Sequence, residues 1–113
     1  EELDQLRITS ADRLPEIRNN APVRVAGLVL MRQRPSTAKG ITFVTLEDET
    51  GVINLVIHRQ TWERYHKVAR GSAGMIAYGK LESKYSVIHV VVRRLEDLSD
   101  RLKLLRAKSR DFR

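Results

Sequence analysis

Cysteine is absent from the chain. That excludes a disulfide scaffold and thiolate metal sites, and it fits a cytoplasmic setting. No apolar run approaches the roughly 18 residues needed to cross a bilayer, and the first residues lack the basic-then-apolar pattern of a secretory signal. No membrane association is expected. No segment repeats. Recognisable reaction chemistry is missing too. His58, His66 and His89 fall on three predicted elements without metal-ligand spacing. Glu47, Asp48 and Glu49 share a turn, where carboxylates ordinarily face solvent. Ala38-Lys39-Gly40 lacks the glycine pattern of a phosphate-binding loop. No grouping of serine, histidine and carboxylate suggests a nucleophile. The chain is expected to carry no catalysis and no cofactor of its own.

What is there is positive charge in one place. The 113 residues suffice for one domain, and 21 Lys and Arg against 14 Asp and Glu give a formal charge of +7. Residues 1–21 are net −2, residues 22–95 net +7 and residues 96–113 net +2. The excess belongs to the middle of the chain, and a basic domain of this size favours a polyanionic partner.

The same middle segment has strand periodicity. Residues 1–21 read as a leader or linker from a preceding domain, ending at the turn Asn19-Asn20-Ala21-Pro22. Val23 to Arg34 is a strand interrupted by Gly27, where a bulge or sharp bend is expected. A polar loop follows, from Pro35 to Gly40. Ile41 to Glu47 and Val52 to His58 form a hairpin across Asp48-Glu49-Thr50-Gly51. Gln60 to Ala69 changes to helical spacing, with Thr61 as N-cap and Trp62, Tyr65, His66 and Ala69 on one face. Trp62 reads as the core anchor of that helix. Gly74 to Leu81 and Ser86 to Leu95 are two more strands, joined by Glu82-Ser83-Lys84-Tyr85. Residues 96–113 form a basic amphipathic tail, with Leu95, Leu98, Leu102 and Leu105 on one helical face.

Three strands, a helix and two strands in about 75 residues is the layout of an OB-fold. The expected class is all-β with one capping helix, a five-stranded Greek-key barrel over residues 22–95, plus a C-terminal helix. In this fold oligonucleotides bind on strands two and three, between the loops joining strands one–two and four–five.

That placement selects the candidate residues. Phe43, Thr45, Asn54, Val56 and His58 form the row opposite Val44 and Leu46. A register slip of one residue would turn Phe43 inward but would bury Thr45 and Glu47, so the ring is expected outside, where a base can stack on it. Arg32, Arg34 and Lys39 are expected at one end of the row, and Lys84 with Tyr85 at the other, as phosphate and stacking contacts. Asn54 suits a base edge or simply solvates the strand. Arg24 and Lys80 are weaker candidates. Single-stranded nucleic acid is the expected ligand. RNA or tRNA, and a protein-docking role for the barrel, are the alternatives.

Two stretches, Val23-Arg24-Val25-Ala26-Gly27-Leu28-Val29 and Phe43-Val44-Thr45-Leu46-Glu47-Asp48-Glu49-Thr50-Gly51, resemble the C-terminal OB domain of bacterial C-family DNA polymerases. Several further segments look more specifically like the error-prone, translesion paralogue: Arg32-Gln33-Arg34-Pro35, Ala38-Lys39-Gly40, Val87-Ile88-His89-Val90-Val91, Arg94-Leu95-Glu96-Asp97-Leu98-Ser99 and the closing Ser109-Arg110-Asp111-Phe112. The resemblance implies a domain that holds single-stranded template for a DNA-directed DNA polymerase in lesion bypass after DNA damage. It implies a bacterial, cytoplasmic parent working with an accessory polymerase-like protein and the sliding clamp. The parent's catalytic aspartates and Mg2+ belong to a palm domain that no part of this chain matches. Two positions depart from the resembled pattern. His58-Arg59 stands where the family often has Trp-Pro, and Ser83-Lys84-Tyr85 replaces a loop often richer in glutamate and glycine.

Overall fold

The computed structural model describes residues 7–111. The alternating apolar residues become five strands: β1 (Pro22–Gln33), β2 (Thr42–Asp48), β3 (Gly51–Ile57), β4 (Gly74–Lys84) and β5 (Val87–Asp97). Helix α1 (Arg59–Gly71) lies between β3 and β4, and α2 (Leu98–Asp111) follows β5. The strands close into a barrel in the order β1-β2-β3-β5-β4, so β1 meets β4. All neighbours are antiparallel except β3 and β5. Val25, Val44, Leu46, Ile53, Leu55, Ile57, Leu81, Val90 and Val92 fill the interior. Burying each such side chain stabilises the fold by about 1.5–3 kcal/mol.

Closure depends on one strand serving two partners. Residues 22–28 of β1 pair with β4, and residues 28–33 with β2. Gly27 sits at the change-over, where a Cβ would lie 2.6 Å from the Glu47 carbonyl oxygen. The bare backbone lets β2 cross closely where β1 changes partner. The bulge itself lies three residues later: Val29 faces Leu46 and Met31 faces Thr45, so Leu30 is the extra residue. A bulge advances the chain by one residue, so every side chain beyond it changes face.

The segment read as a leader packs on the barrel. Thr9 N donates to Arg24 O, and a 3₁₀ helix (Ala11–Glu16) places Leu14 in the core. Asp48 ties this segment to the β2–β3 turn. Its Oδ2 accepts from Ala11 N at 2.8 Å, and its Oδ1 accepts from Thr50 N, Thr50 Oγ1 and Gly51 N. Burial pushes the Asp48 pKa up, but these donors outweigh it and hold the carboxyl below its ordinary value. Stability from a depressed carboxylate is present above the unfolded pKa of about 3.9 and is lost as pH falls through the folded value. Asp48→Asn should therefore lower stability by about 1–3 kcal/mol at pH 7. The gap from wild type should shrink on acidification below about pH 4. Urea midpoints for both proteins at neutral and acidic pH check this, and a constant gap would contradict it.

Helix α1 differs in detail from its sequence pattern. His58 is the N-cap, without a side-chain capping bond, and Thr61 lies within the first turn. The backbone leaves helical geometry at Tyr65 (φ −117°, ψ 23°). That kink shifts the period, so Val68 and Ala69 join Trp62 and Tyr65 against the core. His66 is exposed instead, with Nδ1 3.2 Å from Glu63 O. In the tail, Leu95 is buried as the end of β5, Leu98 packs beside Gly74, and Leu102 is exposed. Leu105 of the predicted leucine face, the basic side chains after it and Phe112 lie outside the described side chains. Among the described residues no helix is long and apolar enough to cross a membrane.

Candidate nucleic-acid interface

The β2–β3 hairpin has the predicted register. Val44 and Leu46 point into the core, and Phe43 and Thr45 point outward opposite Val56 and Asn54. Phe43 is 38% exposed, which leaves part of its ring open to a ligand. Val56 continues the outer row to Val91 on β5. On the other side the Leu30 bulge brings Gln33 opposite Phe43 and Met31 opposite Thr45. Met31 is half exposed and was not legible as a site residue, because simple alternation from Val23 and Val25 places it inside. The outer surface of β1, β2, β3 and β5 is thus a shallow sheet of Met31, Gln33, Phe43, Thr45, Asn54, Val56 and Val91. His58 is exposed just beyond β3, at the start of α1.

The same bulge corrects the placement of Arg32 and Arg34. Alternation without it puts both on the outer face with Phe43. In the structure Arg32 faces Val44, on the opposite side of β1 from Phe43. Its Nε donates to Ala69 O at 2.6 Å, and its Nη2 donates to Ser72 O. Arg32 therefore serves the carbonyls at the C-terminal end of α1, where a cation also complements the helix dipole. The Arg34 guanidinium lies 5.1 Å from the centre of the Trp62 ring, a cation–π contact on the helix side. Neither arginine joins the Phe43 row.

The two loops lie at opposite ends of that row. Lys39 is exposed in a left-handed conformation (φ 52°), and Gly40 packs against the Arg59 side chain at the start of α1. At the other end β4 and β5 run further than predicted. Glu82 faces His89, Ser83 faces Ile88 and Lys84 faces Val87, so only Tyr85-Ser86 forms the turn. Both turn residues have positive φ (53° and 66°), the two-residue hairpin geometry that glycine or asparagine normally occupies. The turn holds Tyr85 89% exposed, and Lys84 Nζ stands 5.6 Å from its ring centre. Beside it a depression of about 390 Å³ is lined by Leu14, Val52, Asn54 and Val87, among others. Across a seven-residue strand the two ends are separated by roughly 20 Å.

Among the described residues no three His, Asp or Glu side chains converge. His89 Nε2 instead lies 2.9 Å from Glu82 Oε1.

With this geometry in view, the similarities to known proteins are informative. The family described as OB-fold nucleic acid binding domain matches residues 23–98. The chain is 58% identical over 113 residues to an error-prone DNA polymerase of Rhodopirellula baltica, covering all of this chain and 10% of that protein. It is 48% identical over 106 residues to an error-prone DNA polymerase of Pseudomonas syringae pv. tomato, covering 94% of this chain and 10% of that protein. The chain thus spans about a tenth of the length of these relatives. Among solved structures, asparaginyl-tRNA synthetase from Pyrococcus horikoshii superposes with a TM-score of 0.64 at 24% identity, over 80% of this chain and 22% of that one. The S. pombe Stn1-ten1 complex gives 0.61 at 19% identity, over 79% and 66%. At such identities the structural likeness speaks for the fold alone.

Proposed function

The chain belongs to the family of OB-fold nucleic acid binding domains, and on that premise we propose that it binds single-stranded DNA as the template-holding module of an error-prone DNA polymerase. The observation that carries the proposal is the outward Phe43 ring, seated between an exposed Lys39 at one end of its row and Lys84 with Tyr85 at the other. A base on Phe43 gains about 1–3 kcal/mol by stacking, whatever its identity. Tyr85 offers a second stacking surface. Lys39 and Lys84 meet phosphates, and Thr45, Asn54 and His58 offer hydrogen bonds between them. A flat row with few specific donors suits a template, which must pass in any sequence.

The whole protein's activity follows from the same premise. Its relatives are error-prone DNA polymerases, so the parent is proposed to copy damaged template in the bacterial cytoplasm. The accessory polymerase-like protein and the sliding clamp are its proposed partners. The catalytic Mg2+ would lie in another part of that protein.

The test is a salt series with a fluorescent dT oligonucleotide. Anisotropy should give log K falling linearly with log salt, by about 0.7 per phosphate contacted. Lys39→Ala should reduce that slope by about one phosphate's share. Absence of binding at low salt would overturn the proposal. Preference for an RNA oligonucleotide of the same sequence would redirect it to RNA.

A further inference from the structure

A second charged surface lies on the far side of the barrel. There the first half of β1, β4 and the second half of β5 run side by side. Arg24 faces Tyr78, which faces Arg94, and Pro22 faces Lys80. In the closed order β1-β2-β3-β5-β4, the strand β4 touches neither β2 nor β3. This sheet therefore looks away from Phe43. A cavity of about 750 Å³ opens on it, lined by Arg7, Arg24, Lys80, Arg93 and Tyr78, among others. None of the described lining residues is acidic.

Two local features set the charge on this surface. Tyr78 faces Arg94 and Gly79 faces Val92, so Arg93 is the extra residue of a bulge and stands exposed beside Arg94. The neighbouring acid is already committed. Glu96 accepts from the Tyr78 hydroxyl, from Arg94 Nη2 at 3.2 Å and from Arg101 Nη2 at 2.6 Å. That cluster holds the Tyr78 ring, with the Arg94 guanidinium 4.0 Å from its centre, and among the described residues it commits Glu96 to partners other than Arg93. Among the described residues Lys80 pairs with Glu82 at 3.9 Å, and a half-exposed ion pair of that length contributes little. Lys80 and Arg93 both line this concavity, and like charges there favour an entering anion.

We propose that this cavity holds phosphates of a bound nucleic acid strand, as a second contact distinct from the Phe43 row. The ligand class rests on the reading of the barrel as a nucleic-acid binder. The site and its residues rest on the cavity alone. The cations come from separate places, the N-terminal segment, β1, β4 and β5, which fits successive phosphodiesters better than a single carboxylate. A strand long enough to leave the Phe43 row and pass around the barrel would engage both surfaces, so the second contact acts at high effective concentration.

The experiment compares dT6 with dT25 on wild type and on a Lys80→Glu, Arg93→Glu double variant. Wild type should bind dT25 about tenfold more tightly than dT6, with a salt slope steeper by about 0.7 for each added phosphate. The double variant should lose that gain while dT6 binding stays within about twofold, because its substitutions lie away from the Phe43 row. A variant that binds dT25 as wild type does would overturn the second site while leaving the first intact. Failure of wild type to bind dT6, with dT25 binding still sensitive to the double substitution, would overturn the Phe43 proposal and keep this one. Displacement of dT25 by polyglutamate as readily as by polyphosphate would overturn the ligand class. If the double variant does not fold, photocrosslinking of a bromodeoxyuridine oligonucleotide to wild type decides. Adducts on Tyr78 or its neighbours support the site, and adducts confined to the Phe43 surface overturn it.

Discussion

Phe43→Ala should weaken binding of a short dT oligonucleotide by about 5- to 150-fold, the equivalent of 1–3 kcal/mol for one lost stacking platform. The loss should be the same at low and high salt, because the ring neutralises no phosphate. The slope of log K against log salt should therefore stay that of wild type. Lys39→Ala should do the reverse, changing the slope with a modest loss of affinity. Stability should fall by less than it would for a core truncation such as Leu55→Ala, because the ring is already 38% exposed. The ring lies outside the sealed core of Val44, Leu46 and Leu55, with Val56 and Gln33 opposite it on the neighbouring strands. Phe43→Trp keeps an aromatic face and should retain most of the affinity. Anisotropy titrations at three salt concentrations, with urea midpoints for the same proteins, separate these effects. If Phe43→Ala and Lys39→Ala change the slope equally, the division between stacking and charge fails.

The residues that decide this outcome differ in how visible they are from the sequence. Phe43 is visible because Phe43-Val44-Thr45-Leu46-Glu47 has one apolar set that fits an interior and one polar set that does not. The hairpin register follows from that alternation and the turn that closes it. Arg32 and Arg34 are not, because their side of the sheet is set by Leu30. A leucine in a strand gives no signal that it is an inserted residue, yet it reverses everything after it. The Tyr85-Ser86 turn was hidden for a related reason. Two-residue hairpins normally announce themselves with glycine or asparagine, and here a tyrosine and a serine take positive φ. The helix face was misassigned at His66 because a kink at Tyr65 breaks the period. Arg7, Arg24, Lys80 and Arg93 are dispersed along the chain, and the last three meet because β4 pairs with both β1 and β5. Local pattern thus revealed the strands and the outward ring, while bulges and closure determined which charges gather.

Gly79→Ala should be the most damaging small substitution in the barrel. An added Cβ would stand 2.0 Å from the Val91 carbonyl oxygen, 2.8 Å from its carbon and 3.1 Å from Val92 Cα. All three are backbone atoms, so no rotamer change relieves the clash. The crowding occurs where β4 and β5 accommodate the Arg93 bulge, and separating them there breaks the longest ladder in the fold. Overpacking of this kind costs about 1–3 kcal/mol, occasionally more, and a barrel locked by ladders on both sides of the site has little room to yield. In a domain with about 5–15 kcal/mol of total stability, that lowers the melting temperature by roughly 4–8 °C for each kcal/mol. Gly71→Ala is the matched control. Nothing lies within 4 Å of a Cβ at that position, at the end of α1, so the change should be neutral or slightly stabilising. Thermal unfolding of the two variants compares one added methyl group in opposite surroundings. Equal melting temperatures would mean that the β4–β5 ladder is looser than this geometry requires, and that the Arg93 bulge does not hold the basic cavity in shape.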